Sequence, residues 1–299
     1  MRIHSRAAVE QGARLAADVQ VGPFAVIGSD AKLEAGCRVG PHAVIAGRTL
    51  LGPGCEVGPH AVVGGAPQIR GEIEDGELVI GPRNVLREFC SVHCGSGAGR
   101  TSLGADNLLM AYAHVAHDCR LGDGNELANG AQLAGHVQLA DRVTVGGLAA
   151  LHQFVRVGQH AMIGGGSMVA QDVPPYSQVS GDRARVYGIN RVGLRRAGYD
   201  EQSRELLARA LRVLLGAPTL AEGIEAVRDL EAGRELEAGR ELEAGRELEA
   251  GRELEAGREL EAGRELEAGR ALEANGAEAV KSLLSFASGG DRGLCRPVW

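Results

Sequence analysis

Large rings are scarce in this chain. Aromatic residues make up 3% of its 299 residues, against 45 glycines. An ordinary globular core draws much of its bulk from Phe, Tyr and Trp, so burial here has to come from many small aliphatic groups. That favours a repetitive architecture. Long apolar runs are missing as well. The opening MRIHSRAAVEQGARL contains none, so neither a signal peptide nor a membrane span is expected. The six cysteines (Cys37, Cys55, Cys90, Cys94, Cys119 and Cys295) form no CxxC pair. With no secretory signal, a reduced cytoplasmic protein is the expectation. No basic stripe of the nucleic-acid-binding kind is present.

What the chain does have is a period of six. Stepping from Val9 gives Leu15, Val21, Ile27, Leu33, Val39, Ile45, Leu51, Val57 and Val63. The register restarts at Ile80, Leu86 and Val92. From Leu103 it runs through Leu109, Val115, Leu121, Leu127, Leu133, Leu139, Val145, Leu151, Val157, Ile163 and Val169. Two residues before most of these stands a small side chain, such as Ala25, Ala43, Cys55, Cys90, Ala113 or Cys119. Glycine often follows the aliphatic, as at Gly22, Gly58, Gly122 and Gly158, and is expected to ease the corner by tolerating positive φ. A hexad of this kind is a short strand plus a tight corner, and three close an 18-residue coil. Neighbouring coils stack about 4.8 Å apart, and stacking buries the face that one coil cannot bury alone. Cys37, Cys55, Cys90 and Cys119 fall on the small inward position and read as compact hydrophobes.

The period breaks at 64–79 and 94–102, which are expected to loop out of the coil and to carry function. After about residue 173 the hexads stop. Residues 1–188 therefore read as the coil domain and 189–299 as a C-terminal helical domain. DEQSRELLARALRVLL has helical spacing of its leucines, and Thr219 and Glu222 form a capping-box pattern for the next helix. Within 229–276 the unit ELEAGR repeats perfectly six times, from 235 to 270. Each copy carries one net negative charge, so the tract holds nearly all of the net charge of -7. A glycine every six residues costs about 1 kcal/mol relative to alanine, and six steps turn a helix through roughly 600°. Its leucines thus form three sparse stripes, and the tract reads as a marginal, solvated helix without chemistry.

Residues about 18 apart lie over one another on such a coil. His117, His136 and His152-Gln153 are spaced to line one edge across three coils, and His42 and His60 stack elsewhere as surface residues. The sequences DNLLMAYAHVAHDC (106–119), LAGHV (133–137), LHQFVRVG (151–158) and VAQDVPPY (169–176) resemble the UDP-N-acetylglucosamine O-acyltransferases, a branch of the hexapeptide transferase family. SFASGGDRGLCR (285–296) resembles that family's C-terminal end.

The resemblance implies a mainly β protein, a left-handed parallel β-helix followed by helices, assembled as a homotrimer with sites between neighbours. It implies transfer of a 3-hydroxyacyl group from the phosphopantetheine of acyl carrier protein to the 3-hydroxyl of UDP-N-acetylglucosamine, the first step of lipid A synthesis. No metal and no other cofactor is expected. His117 is the candidate general base, as histidine chemistry suits; Asp118 orients it, and the Gly135 N–H is the oxyanion donor. His114, His136, His152, Gln153 and Gln68 shape the sugar and pantetheine pocket. Asn190 and Arg196 match positions that bind nucleotide or carrier, and Arg195-Arg196 suits an acidic carrier protein. Gly165 matches the position that limits acyl length. The family's QDLK-like run is replaced by Gln68-Ile69-Arg70-Gly71, and Val192 stands where an acidic residue is common. These departures bear on the acceptor, for which an amino-substituted sugar nucleotide is the alternative. Other readings are acetyl-CoA as donor, a zinc site on His114, His117 and His136, and an inactive scaffold.

Overall fold

A computed structural model describes residues 2–70, 76–232, 276–290 and 292–298. The ELEAGR copies at 235–270 lie outside the described residues, as does Gly71.

Most hexads fold into a strand of two residues and a corner, and successive coils pair in parallel. Three sheets of 11, 9 and 8 strands form, each taking every third strand in sequence until the 11-stranded sheet ends on the consecutive strands Ser177–Ser180 and Arg185–Ile189. The 18-residue step holds strictly over most of the coil: Arg2 pairs with Gln20, His114 with Gln132, and Gln138 with Arg156. The aliphatic in each hexad points inward, and Ile27, Leu33, Ile45, Leu109, Leu127, Leu133 and Ile163 are fully buried. Ala25, Cys37, Cys55, Ala61, Ala113 and Cys119 are equally inaccessible. Val9, in the first coil of the described residues, is 36% exposed.

The corners differ from the expectation. Gly22 and Gly58 are not in the left-handed region; that conformation falls two residues later, on Phe24 (φ 59°) and His60 (φ 58°). Glycine is needed instead for close approach. A Cβ on Gly58 would lie 2.7 Å from the Glu88 backbone N, and one on Gly22 2.9 Å from that of Pro41. With side chains held at the same φ on successive corners, rings pile up. Phe24, His42, His60, Phe89 and Tyr112 stack at centroid spacings of 4.8–5.0 Å.

Both breaks in the period are narrower than 64–79 and 94–102. Strands Val62–Gly65, Glu77–Ile80 and Arg100–Leu103 extend into them. Val62 pairs with Ser91, 29 residues on, and Ser91 with His114, 23 residues on. The excess over 18 is extruded, and the ladder closes on either side.

Pairing also continues past residue 173. Met162 pairs with Gln178, a step of 16 that hides the strand Ser177–Ser180 from a search by sixes. The chain divides into two compact units, 1–187 with 290–299, and 188–289. The last residues thus go with the coil and not with the helical domain drawn as 189–299. They add an edge to its final turn: Asp172 N donates to Gly293 O (2.9 Å) and Cys295 N to Asp172 O (2.8 Å). The Asp172 carboxylate, 1% exposed, accepts from the Arg156 backbone N (2.8 Å) and from its Nε (2.9 Å).

In the second unit, α1 (Arg191–Arg196) is capped by Asn190 and α2 (Glu201–Gly216) by Asp200, whose side chain accepts from Ser203 N. Leu206, Leu207, Leu211 and Leu214 make its buried face. Thr219 Oγ1 accepts from Glu222 N at 3.2 Å, the capping half of the expected box. No helix among the described residues is long and apolar enough to cross a membrane.

Because Asp172 and Arg156 are a buried pair, Asp172→Ala is expected to cost about 3 kcal/mol in denaturant unfolding. Lys32→Ala, which breaks the exposed pair with Glu34, should cost less than about 1 kcal/mol. Equal losses would contradict the burial of the Asp172–Arg156 pair.

Candidate active site

The site is built on one edge, where the 9-stranded sheet turns into the 8-stranded sheet. Strand His114–Val115 enters the corner Ala116-His117-Asp118, and Arg120–Leu121 leaves it. One coil on, the same corner is Ala134-Gly135-His136; two coils on, it is His152-Gln153-Phe154. His136 N donates to His117 O (3.0 Å) and Phe154 N to Gly135 O (3.1 Å), so backbone bonds fix the stack. Both extruded segments leave from this edge, since each lies between a strand of one sheet and the next strand of the other.

His117 is the hub. Its Nδ1 lies 2.8 Å from Asp118 Oδ2, a bond made possible by the left-handed φ of 60° at Asp118. The carboxylate is fixed from the other side by the 94–102 segment. Ser96 Oγ donates to Oδ2 (2.6 Å), Ser96 N to Oδ1 (3.1 Å), and Thr101 Oγ1 accepts from Asp118 N (2.8 Å). Burial alone would raise the Asp118 carboxyl; the bonds from Ser96 and His117 outweigh it and hold it below the usual carboxylate range. Above His117 lies Gly135. A Cβ there would sit 2.7 Å from His117 Cε1 and 2.8 Å from Nε2, so only glycine fits beneath an undisturbed imidazole.

The neighbours divide. His136 stands edge-on to His117 (centroids 5.2 Å) and stacks on Phe154 (4.5 Å). The expected column is therefore altered: with an 18-residue step, Phe154 and not His152 lies over His136, and Gln153 lies over Gly135. His152 is exposed, with Nδ1 3.2 Å from Gln153 O. His114 bonds Ser91 Oγ through Nδ1 (2.8 Å) and meets His93 edge-on (4.8 Å). Burial first, then the repulsion of His93 and His117, pushes the His114 imidazole down to about 4. Gln68 is exposed on the first extruded segment, on this same edge. Gly165 is elsewhere in the chain, at the corner between the 11- and 9-stranded sheets, where a Cβ would approach Gly147 O to 3.2 Å. Asn190 and Arg196 belong to the second unit; Asn190 Oδ1 caps α1 by accepting from Gly193 N (3.0 Å), and Arg196 is exposed. A groove of about 530 Å³ over the 11-stranded sheet, lined by Arg2, Gln20, Arg38, Glu56 and Arg87 among others, contains none of the expected residues.

Cys119, next to the hub, is fully buried and donates to Ala134 O (3.1 Å); burial pushes its thiol up to about 12. It is a core residue and not a nucleophile. The zinc reading on His114, His117 and His136 is corrected too. Among the described residues, the group of three with ligand atoms mutually within 4.8 Å is His117, Asp118 and His136. Ser91, His93, Ser96 and Thr101 are the site residues that sequence reasoning missed. Their signal is the register across the 94–102 segment, which becomes readable once Ser91 is paired with His114.

The chain is similar to known proteins in sequence and in fold. Residues 172–295 match the family described as UDP-N-acetylglucosamine O-acyltransferase, domain 2, and residues 12–47 and 30–65 match bacterial transferase hexapeptide repeats. The acyl-[acyl-carrier-protein]–UDP-N-acetylglucosamine O-acyltransferase of Paraburkholderia phymatum is 46% identical over 216 residues, covering 71% of this chain and 82% of that one. The chain belongs to the UDP-N-acetylglucosamine O-acyltransferase family. The Stenotrophomonas maltophilia member is likewise 46% identical over 217 residues, with the same coverage. Two solved members, from Acinetobacter baumannii (TM-score 0.80, 98% of this chain and 99% of that one) and Campylobacter jejuni (TM-score 0.78, 99% of each), are both 32% identical. The coil is thus the left-handed parallel β-helix of UDP-N-acetylglucosamine O-acyltransferases, and the chain is a transferase.

Neutrality of His114 has a measurable consequence. The unfolded chain takes up its proton below about pH 6.5, while the fold resists until about pH 4. Its contribution is therefore present above 6.5 and is lost as pH falls toward 4. His114→Gln is expected to flatten the decline of Tm across that window; an unchanged slope would contradict the burial of the ring.

Proposed function

We propose that this chain moves a 3-hydroxyacyl group from the phosphopantetheine thioester of acyl carrier protein to the 3-hydroxyl of UDP-N-acetylglucosamine, the first step of lipid A synthesis. The observation that carries the mechanism is the contact between His117, Asp118 and Gly135. A carboxylate on Nδ1 selects the tautomer with its proton there, leaving the Nε2 lone pair as the base. Nε2 takes the acceptor hydroxyl proton as that oxygen attacks the thioester carbonyl. Gly135 borders the imidazole, and for its backbone N–H no acceptor is found among the described residues. That N–H receives the tetrahedral oxyanion. Collapse breaks the C–S bond, and His117 returns the proton to the departing pantetheine sulfur.

His114, held neutral and oriented by Ser91, and His136, held by Phe154, line the sugar and pantetheine pocket with His152, Gln153 and Gln68. Asn190 and Arg196 serve the nucleotide or carrier, and Arg195-Arg196 suits an acidic carrier. The alternative of an amino-substituted acceptor rests on Ile69 and Val192, which offer no polar contact where the family commonly has one. Gly165 limits acyl length from the border of the 9-stranded sheet opposite His117, and the chain assembles as a homotrimer with sites between neighbours. A cytoplasmic location completes this reading.

His117→Ala, assayed with 3-hydroxyacyl carrier protein and UDP-N-acetylglucosamine, is expected to lower kcat by about 10²–10⁴. Near-normal turnover would refute the base assignment. Acyl transfer from acetyl-CoA alone, run alongside, would refute the donor.

A further inference from the structure

The edge that holds the base also presents a metal-ligating set that the reaction does not use as such. His117 Nδ1 and His136 Nε2 both face one oxygen, Asp118 Oδ2, at 2.8 and 3.7 Å. The three side chains are partly exposed, at 15%, 11% and 38% for His117, Asp118 and His136, so an ion can enter from solvent. We propose that His117, Asp118 and His136 form an inhibitory zinc site.

Three features support it. The ligand types, two imidazoles and one carboxylate, are those of open zinc sites, which keep a fourth position for water. The spacing is close to what an ion needs. Zinc bonds of about 2.0–2.1 Å in a tetrahedron put ligand atoms roughly 3.3 Å apart, so 2.8 Å must open and 3.7 Å must close by about half an ångström. Lastly, the ligands are already supported from behind. Ser96 donates twice to the Asp118 carboxylate, through Oγ and backbone N, and Phe154 stacks on His136 at 4.5 Å. Such outer contacts fix ligand orientation in metal sites.

The mode of inhibition follows from which nitrogen is taken. In the catalytic tautomer the His117 proton sits on Nδ1, facing Asp118. Zinc on Nδ1 requires that nitrogen's lone pair, so the proton moves to Nε2. No bond is lost overall, but the nitrogen that must accept the substrate proton now carries one. Zinc then sits behind the ring and not in the acceptor's place. It should lower kcat. This kinetic part rests on the reading of His117 as base; the binding part does not.

Titration of the full chain, freed of metals, with Co²⁺ is the direct test. One ion per chain with the visible absorption of tetrahedral Co²⁺, displaced by Zn²⁺, is expected. His136→Ala should weaken binding at least about tenfold, His136→Gln should do the same, and the surface variant His42→Ala should leave it unchanged. No stoichiometric binding, or wild-type affinity in folded His136→Ala and His136→Gln, overturns the site. Zinc should abolish turnover at saturation and a chelator should restore it. Bound zinc with full turnover, or inhibition that only raises KM, overturns the tautomer mechanism. A chain that binds cobalt as described yet transfers no acyl group would refute the proposed function and leave the metal site standing.

Discussion

Successive coils are bound to one another by a parallel ladder with an 18-residue step, and every distance at the site follows from it. Backbone bonds such as His136 N to His117 O (3.0 Å) and Gln138 N to Val155 O (3.0 Å) leave no freedom of register. A slip of one residue would turn Leu133 or Ile163 outward and move each corner side chain off its column. The same ladder that stacks Phe24, His42, His60, Phe89 and Tyr112 as bare surface rings stacks Asp118, His136 and Phe154 at the site. The site edge differs because a segment is extruded there. Ser96 and Thr101 return from it to hold Asp118, and in the proposed mechanism that carboxylate makes an aligned histidine a base.

Electrostatics then divide the imidazoles. His114 is half-buried beside two other imidazoles and stays neutral, with Ser91 on its Nδ1. His117 has an anion on its Nδ1 instead. Two histidines three residues apart on one edge thus differ because one lies within a strand, facing Ser91, and the other at a corner beside Asp118. Gly135 completes the contrast by leaving room above His117 where any side chain would collide.

Much of this was legible in the sequence because the fold is one-dimensional: the aliphatic period alone fixes which residues face in. His117, Asp118, Gly135 and His136 were found by register and motif, and they meet. Two readings failed for physical reasons. Glycine after the aliphatic is required by close approach of the next coil, and not by its own φ, which no periodicity reveals. His152 was placed over His136 by a spacing of 16, whereas the strict step puts Phe154 there. Ser91 and His93 were missed because the 94–102 segment shifts the step to 23 residues. The strand Ser177–Ser180 was missed because a Pro-Pro pair shortens the step to 16. Gly165 does not join the histidines, because its corner lies between the 11- and 9-stranded sheets and theirs between the 9- and 8-stranded sheets.

In the proposed mechanism Asp118 makes His117 a base by fixing its tautomer. Asp118→Asn isolates that role, since the carboxamide keeps size and shape while losing the charge. A fall in kcat on the order of 10²–10⁴ is expected, with KM for UDP-N-acetylglucosamine within about twofold of wild type, as when only the transition state is affected. A variant that folds normally and turns over at nearly the wild-type rate would contradict it.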